Sequence, residues 1–268
     1  RIYTRRNKIV IQAGCYHGKG DSTLLAYHGP PFGLCNAEGI PAGVREDVII
    51  VPFNNLDAVE SALKTGDVAA VLLHCNNLYT KEYLVGLRKL TQQYGAVFLM
   101  DEVISGFRFA AGGAAEYYGV TPDLTTLGKV PGGGAPIGVI CGKKEILDFY
   151  SFKDAHWNQF TRIASGGTWN AQPLCIAGGI AMMKILLQER DTIYPRLYEI
   201  GQRLTNSFNQ QAKALNVTAL ASGYPYEAPT LFNIHFLREP LRPEHEYLWQ
   251  TGPTSVKDYH VKAHYSSN

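Results

Sequence analysis

An acid and an amine can share one carbonyl-bearing ligand if the fold brings them to the same end of a sheet. The stretch Val97 to Gly138, VFLMDEVISGFRFAAGGAAEYYGVTPDLTTLGKVPGGGAPIG, holds such a pair in Asp101 and Lys129. Val97 to Met100 is an apolar run of the kind that forms a fully buried parallel strand, which puts Asp101 and Glu102 at its carboxyl end. Ligands of open α/β sheets bind at that end. Lys129 stands among apolar residues and the glycines Gly128, Gly132, Gly133 and Gly134. Such a lysine is expected to bear a desolvation cost as an ammonium unless it is paired or used covalently. A bond between its amine and a carbonyl group removes that cost and is itself chemistry.

The elements that must position this pair follow from periodicity. Lys8 to Gln12, Val48 to Pro52, Val68 to Leu73 and Ile137 to Cys141 read as further strands. Between them, Phe53 to Lys64 reads as a helix with Asn55 as its N-cap, and Lys81 to Tyr94 as a helix with Leu84, Leu87 and Leu90 on one face. Alternation of this kind predicts an α/β fold with a mostly parallel sheet flanked by helices. Lys143 to Tyr150 predicts a short helix, and Leu174 to Gln188 and Tyr194 to Leu215 predict long ones; Leu231 to Phe236 predicts a strand. Tyr27 to Val44 and Phe152 to Phe160 sustain no period and read as loops, and Leu237 to Asn268 has little period. The expected division is a large domain over residues 1–192 and a linking helix with a partial small domain over 193–268.

Composition narrows the partners. The 268 residues are 46% hydrophobic and 18% charged with a formal charge of +2, which gives no argument for nucleic acid. No apolar run approaches the roughly 18 residues of a membrane span. Five cysteines without a CxxC pair suit a reducing compartment, so a cytoplasmic location is expected, and the opening at Arg1 reads as that of a fragment. GKVPGGG is no phosphate loop, because Val130 rather than Ser or Thr follows the lysine, and no GxGxxG opens a helix. His260 and His264 have helical spacing but lack an accompanying acid, so no metal is expected.

Four ordered motifs carry a resemblance: GCYHG (Gly14 to Gly18), DEVISGFR (Asp101 to Arg108), TPDLTTLGK (Thr121 to Lys129) and GTWNAQPL (Gly167 to Leu174). From Arg1 to about Phe236 the chain resembles the class III aminotransferases, pyridoxal-phosphate (PLP) enzymes of fold type I, most of all their glutamate-1-semialdehyde aminomutase branch. The resemblance implies that Lys129 binds the cofactor covalently and that Asp101 faces its ring nitrogen. It implies Tyr16 as a stacking platform, with His17 and Gly167 beside the cofactor and Thr168 on the phosphate of the neighbouring subunit in a homodimer. Read without it, Tyr16 and His17 simply fill a strand terminus, and Thr168 caps the following helix. The substrate implied is a small amino acid or amine. The activity expected is amino-group transfer to a keto or aldehyde acceptor, with the intramolecular aminomutase exchange and a non-catalytic paralogue or inactive fragment as alternatives. The chain departs from the family pattern at His74-Cys75, where Glu-Pro is usual, and at Gln172, where asparagine is usual. Parts of the family's fold at both ends, including its Gly/Ser phosphate loop, are expected to lie outside this chain.

Overall fold

In a computed structural model, residues 1–25, 39–75, 79–225, 229–249, 261–262 and 264–265 are described. A six-stranded sheet is built from β1 (Lys8–Gln12), β2 (Val48–Val51), β3 (Val68–His74), β4 (Val97–Glu102), β5 (Leu124–Gly128) and β6 (Gly138–Gly142). Its spatial order is β2-β1-β3-β4-β5-β6. The first five strands run parallel; β6 turns back antiparallel on β5 at one edge. The antiparallel edge was not anticipated, because an apolar run does not announce its direction and the connection through Pro131 to Pro136 is too short for a parallel crossover.

The inner strands are apolar on both faces because helices cover both. Val10, Ile11, Val71, Leu73, Phe98 and Met100 are fully buried, and Val59 of α2 (Leu56–Leu63) and Leu84 and Leu87 of α3 (Lys81–Tyr94) pack against them. Side-chain caps fix where those helices start: Asn55 Oδ1 accepts from Ala58 N at 2.9 Å and Thr80 Oγ1 from Tyr83 N at 3.2 Å. Gly95 ends α3 with φ at 63°, so the chain reverses directly into β4. Asp123, at the entrance to β5, is a buried junction. It accepts two bonds from the Arg88 guanidinium at 2.7 and 2.9 Å, one from Phe98 N and one from Lys143 Nζ at 2.9 Å, so one carboxylate ties α3, β4 and the end of β6 together.

The remaining helices are α1 (Ala42–Glu46), α4 (Gly113–Tyr118), α5 (Lys144–Leu147), α6 (Ala155–Phe160), α7 (Pro173–Gln188) and α8 (Arg190–Ala214). Two of them correct the expected loops. Helix α1 takes up the end of the Tyr27 to Val44 segment, whose residues 27–38 lie outside the described ones. Helix α6 forms where no apolar period exists, because Asp154 Oδ1 accepts from Trp157 N at 2.8 Å and nucleates a single capped turn. Helix α8 is anchored at its start, where Tyr194 donates to Phe107 O at 3.1 Å and Tyr198 to Phe109 O, and leads to a hairpin of β7 (Ala219–Tyr224) and β8 (Leu231–Phe236). Strand β7 went unpredicted, since ALASGY lacks β-branched residues; Asn209 of α8 holds it through both backbone groups of Ala221.

Candidate active site

The order β1-β3-β4-β5 places the carboxyl ends of four strands side by side, and of the sequence-predicted residues Asp101, Lys129, Tyr16 and His17 lie at or just beyond those ends. Asp101 is the penultimate residue of β4 and is buried. Its Oδ1 accepts from Val103 N at 3.1 Å and Thr126 Oγ1 at 3.2 Å, and its Oδ2 is 2.8 Å from His17 Nδ1. Burial pushes this carboxyl up, but the bond and charge of His17, the Val103 N–H and His74 outweigh it and hold Asp101 below the usual carboxylate range. Asp101 is therefore a carboxylate, and His17 Nδ1 donates to it.

Glu102, one residue on, does a different job. Its side chain turns away to accept from Ala114 N at 2.5 Å, Ala115 N at 3.1 Å and Ser105 Oγ at 3.1 Å, closing the loop that follows β4. Burial raises its pKa, and these bonds moderate the rise.

Lys129 follows β5 directly, and the structure corrects the expectation that it is desolvated: it is exposed. A residue leaving the end of a strand projects beyond the sheet, where the neighbouring glycines cover nothing. Its backbone is unusual, with φ 63° and ψ −97°, a conformation that a residue with a Cβ occupies only under constraint. The constraint comes from α7. A Cβ on Gly179 would lie 2.5 Å from Pro131 O, and one on Gly133 2.4 Å from Gly178 O, so helix and turn meet backbone to backbone. Gly178 and Gly179 were not among the predicted residues; paired glycines inside an otherwise apolar helix were the available signal.

Tyr16 is exposed on the turn after β1, beside His17. Gly167 and Thr168 lie in an exposed turn ahead of α7 and are not brought to Asp101 by any contact among the described residues. Thr168 does not cap α7; Gln172 does, accepting from Cys175 N at 2.8 Å. Of the paired histidines, His260 lies outside the described residues and His264 Nε2 is 3.2 Å from Glu239 Oε1. No cluster able to hold a metal ion is present among the described residues.

One residue of the site was underrated. His74 ends β3 in register with Asp101, is 6% exposed, and meets the His17 ring edge-on at 5.4 Å. Burial, reinforced by the charges of His17 and Lys129 and opposed by Asp101, pushes its imidazole down to about 4. An unfolded His74 titrates near 6.5, so as pH falls the unfolded chain takes up the proton first. The stability that depends on a neutral His74 is complete above pH 6.5 and is lost as pH falls toward 4, amounting to about 3 kcal/mol. His74→Phe is expected to flatten that acid limb in chemical-denaturation curves taken between pH 7 and 4; an unchanged slope would contradict a buried neutral imidazole.

The sheet order, the flanking helices and the strand-end acid define an α/β fold of the PLP-transferase kind, and comparison with known proteins agrees. An omega-transaminase from Sphaerobacter thermophilus superposes with a TM-score of 0.78 at 30% identity, over 97% of this chain and 57% of that one. A transaminase solved with PLP bound superposes at 0.76 and 26% identity, over 88% and 55%. The sequence matches the aminotransferase class-III family over residues 1–220, and the chain belongs to that family. It is 44% identical over 272 aligned residues to a glutamate-1-semialdehyde 2,1-aminomutase of Natranaerobius thermophilus, covering 98% of this chain and 59% of the relative. A Fusobacterium nucleatum protein of the same name is 38% identical over 246, covering 88% and 54%. The chain thus spans just over half the length of these relatives. The family works with PLP, and the residues present fit that group on their chemistry: an ionised acid and an exposed amine at neighbouring strand ends.

Proposed function

We infer that this chain carries the acid and the lysine of an enzyme that moves an amino group from an amino donor to a keto or aldehyde acceptor, with PLP held between them. The observation behind this reading is the ionised Asp101 at the end of β4, next to the strand whose end bears Lys129. Bound PLP supplies a sink for the negative charge that develops at the substrate carbon. Lys129 would bind the cofactor's carbonyl carbon through its amine, and as a neutral amine would move a proton at the substrate carbon. Asp101 would keep the proton on the cofactor's ring nitrogen through a charge-assisted bond. Tyr16 would lie against the ring face with His17 behind Asp101, and Thr168, next to Gly167, would bind phosphate. The large domain would span residues 1–192, with α8 leading into the smaller part over 193–268.

The names of the sequence relatives favour a second reading, the intramolecular aminomutase exchange. One assay on the full-length protein separates them: glutamate-1-semialdehyde alone, then amino donors paired with keto acceptors. Transamination is expected to be the faster. Conversion of the semialdehyde to 5-aminolevulinate without an acceptor, at a rate above every transamination, would reverse the order.

The active assembly is proposed to be a homodimer in the cytoplasm. No described helix is long and apolar enough to cross a membrane, and Cys75, Cys141 and Cys175 are free thiols. Helix α7 is apolar nearly all round, yet only Gly179 and Leu186 are buried, while Leu174, Ile180, Ile185 and Leu187 stay exposed. A helix of that composition requires cover, and a second copy would provide it while bringing Thr168 to the partner's phosphate. Ile180→Glu should shift the full-length protein from dimer to monomer in analytical ultracentrifugation; a dimer of undiminished affinity would count against this face.

A further inference from the structure

His17 and Asp101, whose side chains meet at 2.8 Å, do not sit on neighbouring strands. His17 follows β1 and Asp101 is the penultimate residue of β4, while β3 runs between these strands in the sheet. The path from one to the other must therefore cover about two strand spacings, roughly 10 Å, made up by the turn after β1 and the two side chains. It does so across the end of β3, and the residue standing there is His74, whose ring meets His17 edge-on at 5.4 Å and 63°. The His17 side chain is 2% exposed, and among the described residues its Nε2 is buried without a hydrogen-bond partner.

We propose that His74 is a positioning residue, a neutral ring over which His17 reaches Asp101, and that it thereby fixes how the carboxylate presents itself to the cofactor's nitrogen. The position makes two demands. The side chain has to be broad and planar, because a small one leaves the His17 ring free to swing about its χ angles and loosen the 2.8 Å bond. It also has to be uncharged, because a cation there would repel a proton-bearing His17 and compete for Asp101. The groups facing His74 are His17 on the turn after β1, Asp101 on β4 and Lys129 after β5; burial and two of the three disfavour a charge on it.

The inference rests on Asp101 serving the ring nitrogen, but one of its tests does not. In the full-length protein, the His17 Nδ1–H proton bound to Asp101 can be followed by NMR with and without PLP. His74→Phe keeps a neutral planar ring and discards both nitrogens; His74→Ala discards the ring. Retention of the Nδ1–H resonance is expected in His74→Phe, with kcat within about threefold of wild type and an unaltered pH titration of the bound cofactor's absorbance. In His74→Ala the resonance should broaden into exchange and kcat fall about tenfold with KM little changed. In a His17→Ala background, the same His74→Ala change should cost nothing further, since the support then has nothing to carry. The proposal is overturned if His74→Ala keeps the resonance, if His74→Phe loses it, or if the two alanine substitutions are additive. Should the resonance behave as expected while activity is indifferent to Asp101, the support role stands and the assignment of Asp101 fails.

Discussion

Lys129→Ala is expected to lower turnover of the full-length holoenzyme by at least about a thousandfold, equivalent to about 4 kcal/mol of barrier. No neighbouring group can take over, because the reaction needs an amine that binds carbon reversibly and then carries a proton at the same place. Lys129 leaves β5 in a conformation that α7 holds, whereas Lys143 at the end of β6 is engaged with Asp123. Lys129→Arg should not restore activity, since a guanidinium stays protonated and is no nucleophile. Borohydride reduction of the holoenzyme followed by peptide mapping locates the modified amine. A label on another lysine, or turnover within tenfold of wild type in the alanine variant, would remove Lys129 from the mechanism.

Asp101→Asn should keep most of the cofactor and lose a hundredfold or more in kcat. The amide preserves the volume and can still accept from Val103 N and Thr126 Oγ1, so the local fold survives. It loses the charge that holds a proton on the ring nitrogen and that aligns His17. A fall in cofactor affinity of less than tenfold, measured by fluorescence titration, should accompany the fall in kcat. Comparable losses in both would mean that Asp101 chiefly binds; near-normal kcat would mean that it does neither.

How far the fold could be read from residues depends on which distances decide each part. The strand ending at Asp101 and helices α2 and α3 were legible, since an apolar run and a capped periodic segment are local facts, and Asn55 caps where expected. Helix α6 was not, because its cause is one aspartate bond rather than a period. The exposure of Lys129 was misjudged for a related reason: sequence neighbours do not tell which way a residue points once it has left the sheet. The role of His74 was hidden in strand order. Nothing in VAAVLLH says that β3 would fall between β1 and β4, and only that order puts an imidazole beneath His17. Gly178 and Gly179 were legible as an oddity but not as a contact, because the turn they meet lies 45 to 48 residues away in the chain.

The meeting of α7 with the Lys129 turn sets a lower limit on how short a working version of this protein can be. Two interior glycines cost α7 about 1 kcal/mol each relative to alanine, so in isolation it is a poor helix that depends on its dock. Dependence runs in the other direction as well. A chain cut after β6 at Gly142 would keep Asp101, His17, His74 and Lys129 in covalent sequence and could retain the whole six-stranded sheet. It would lack the backbone surface that holds residues 131–133, and Lys129 would be free to relax out of its left-handed conformation. Split-protein and truncation designs that divide this family's large domain at that edge would therefore separate the lysine from the element that aims it.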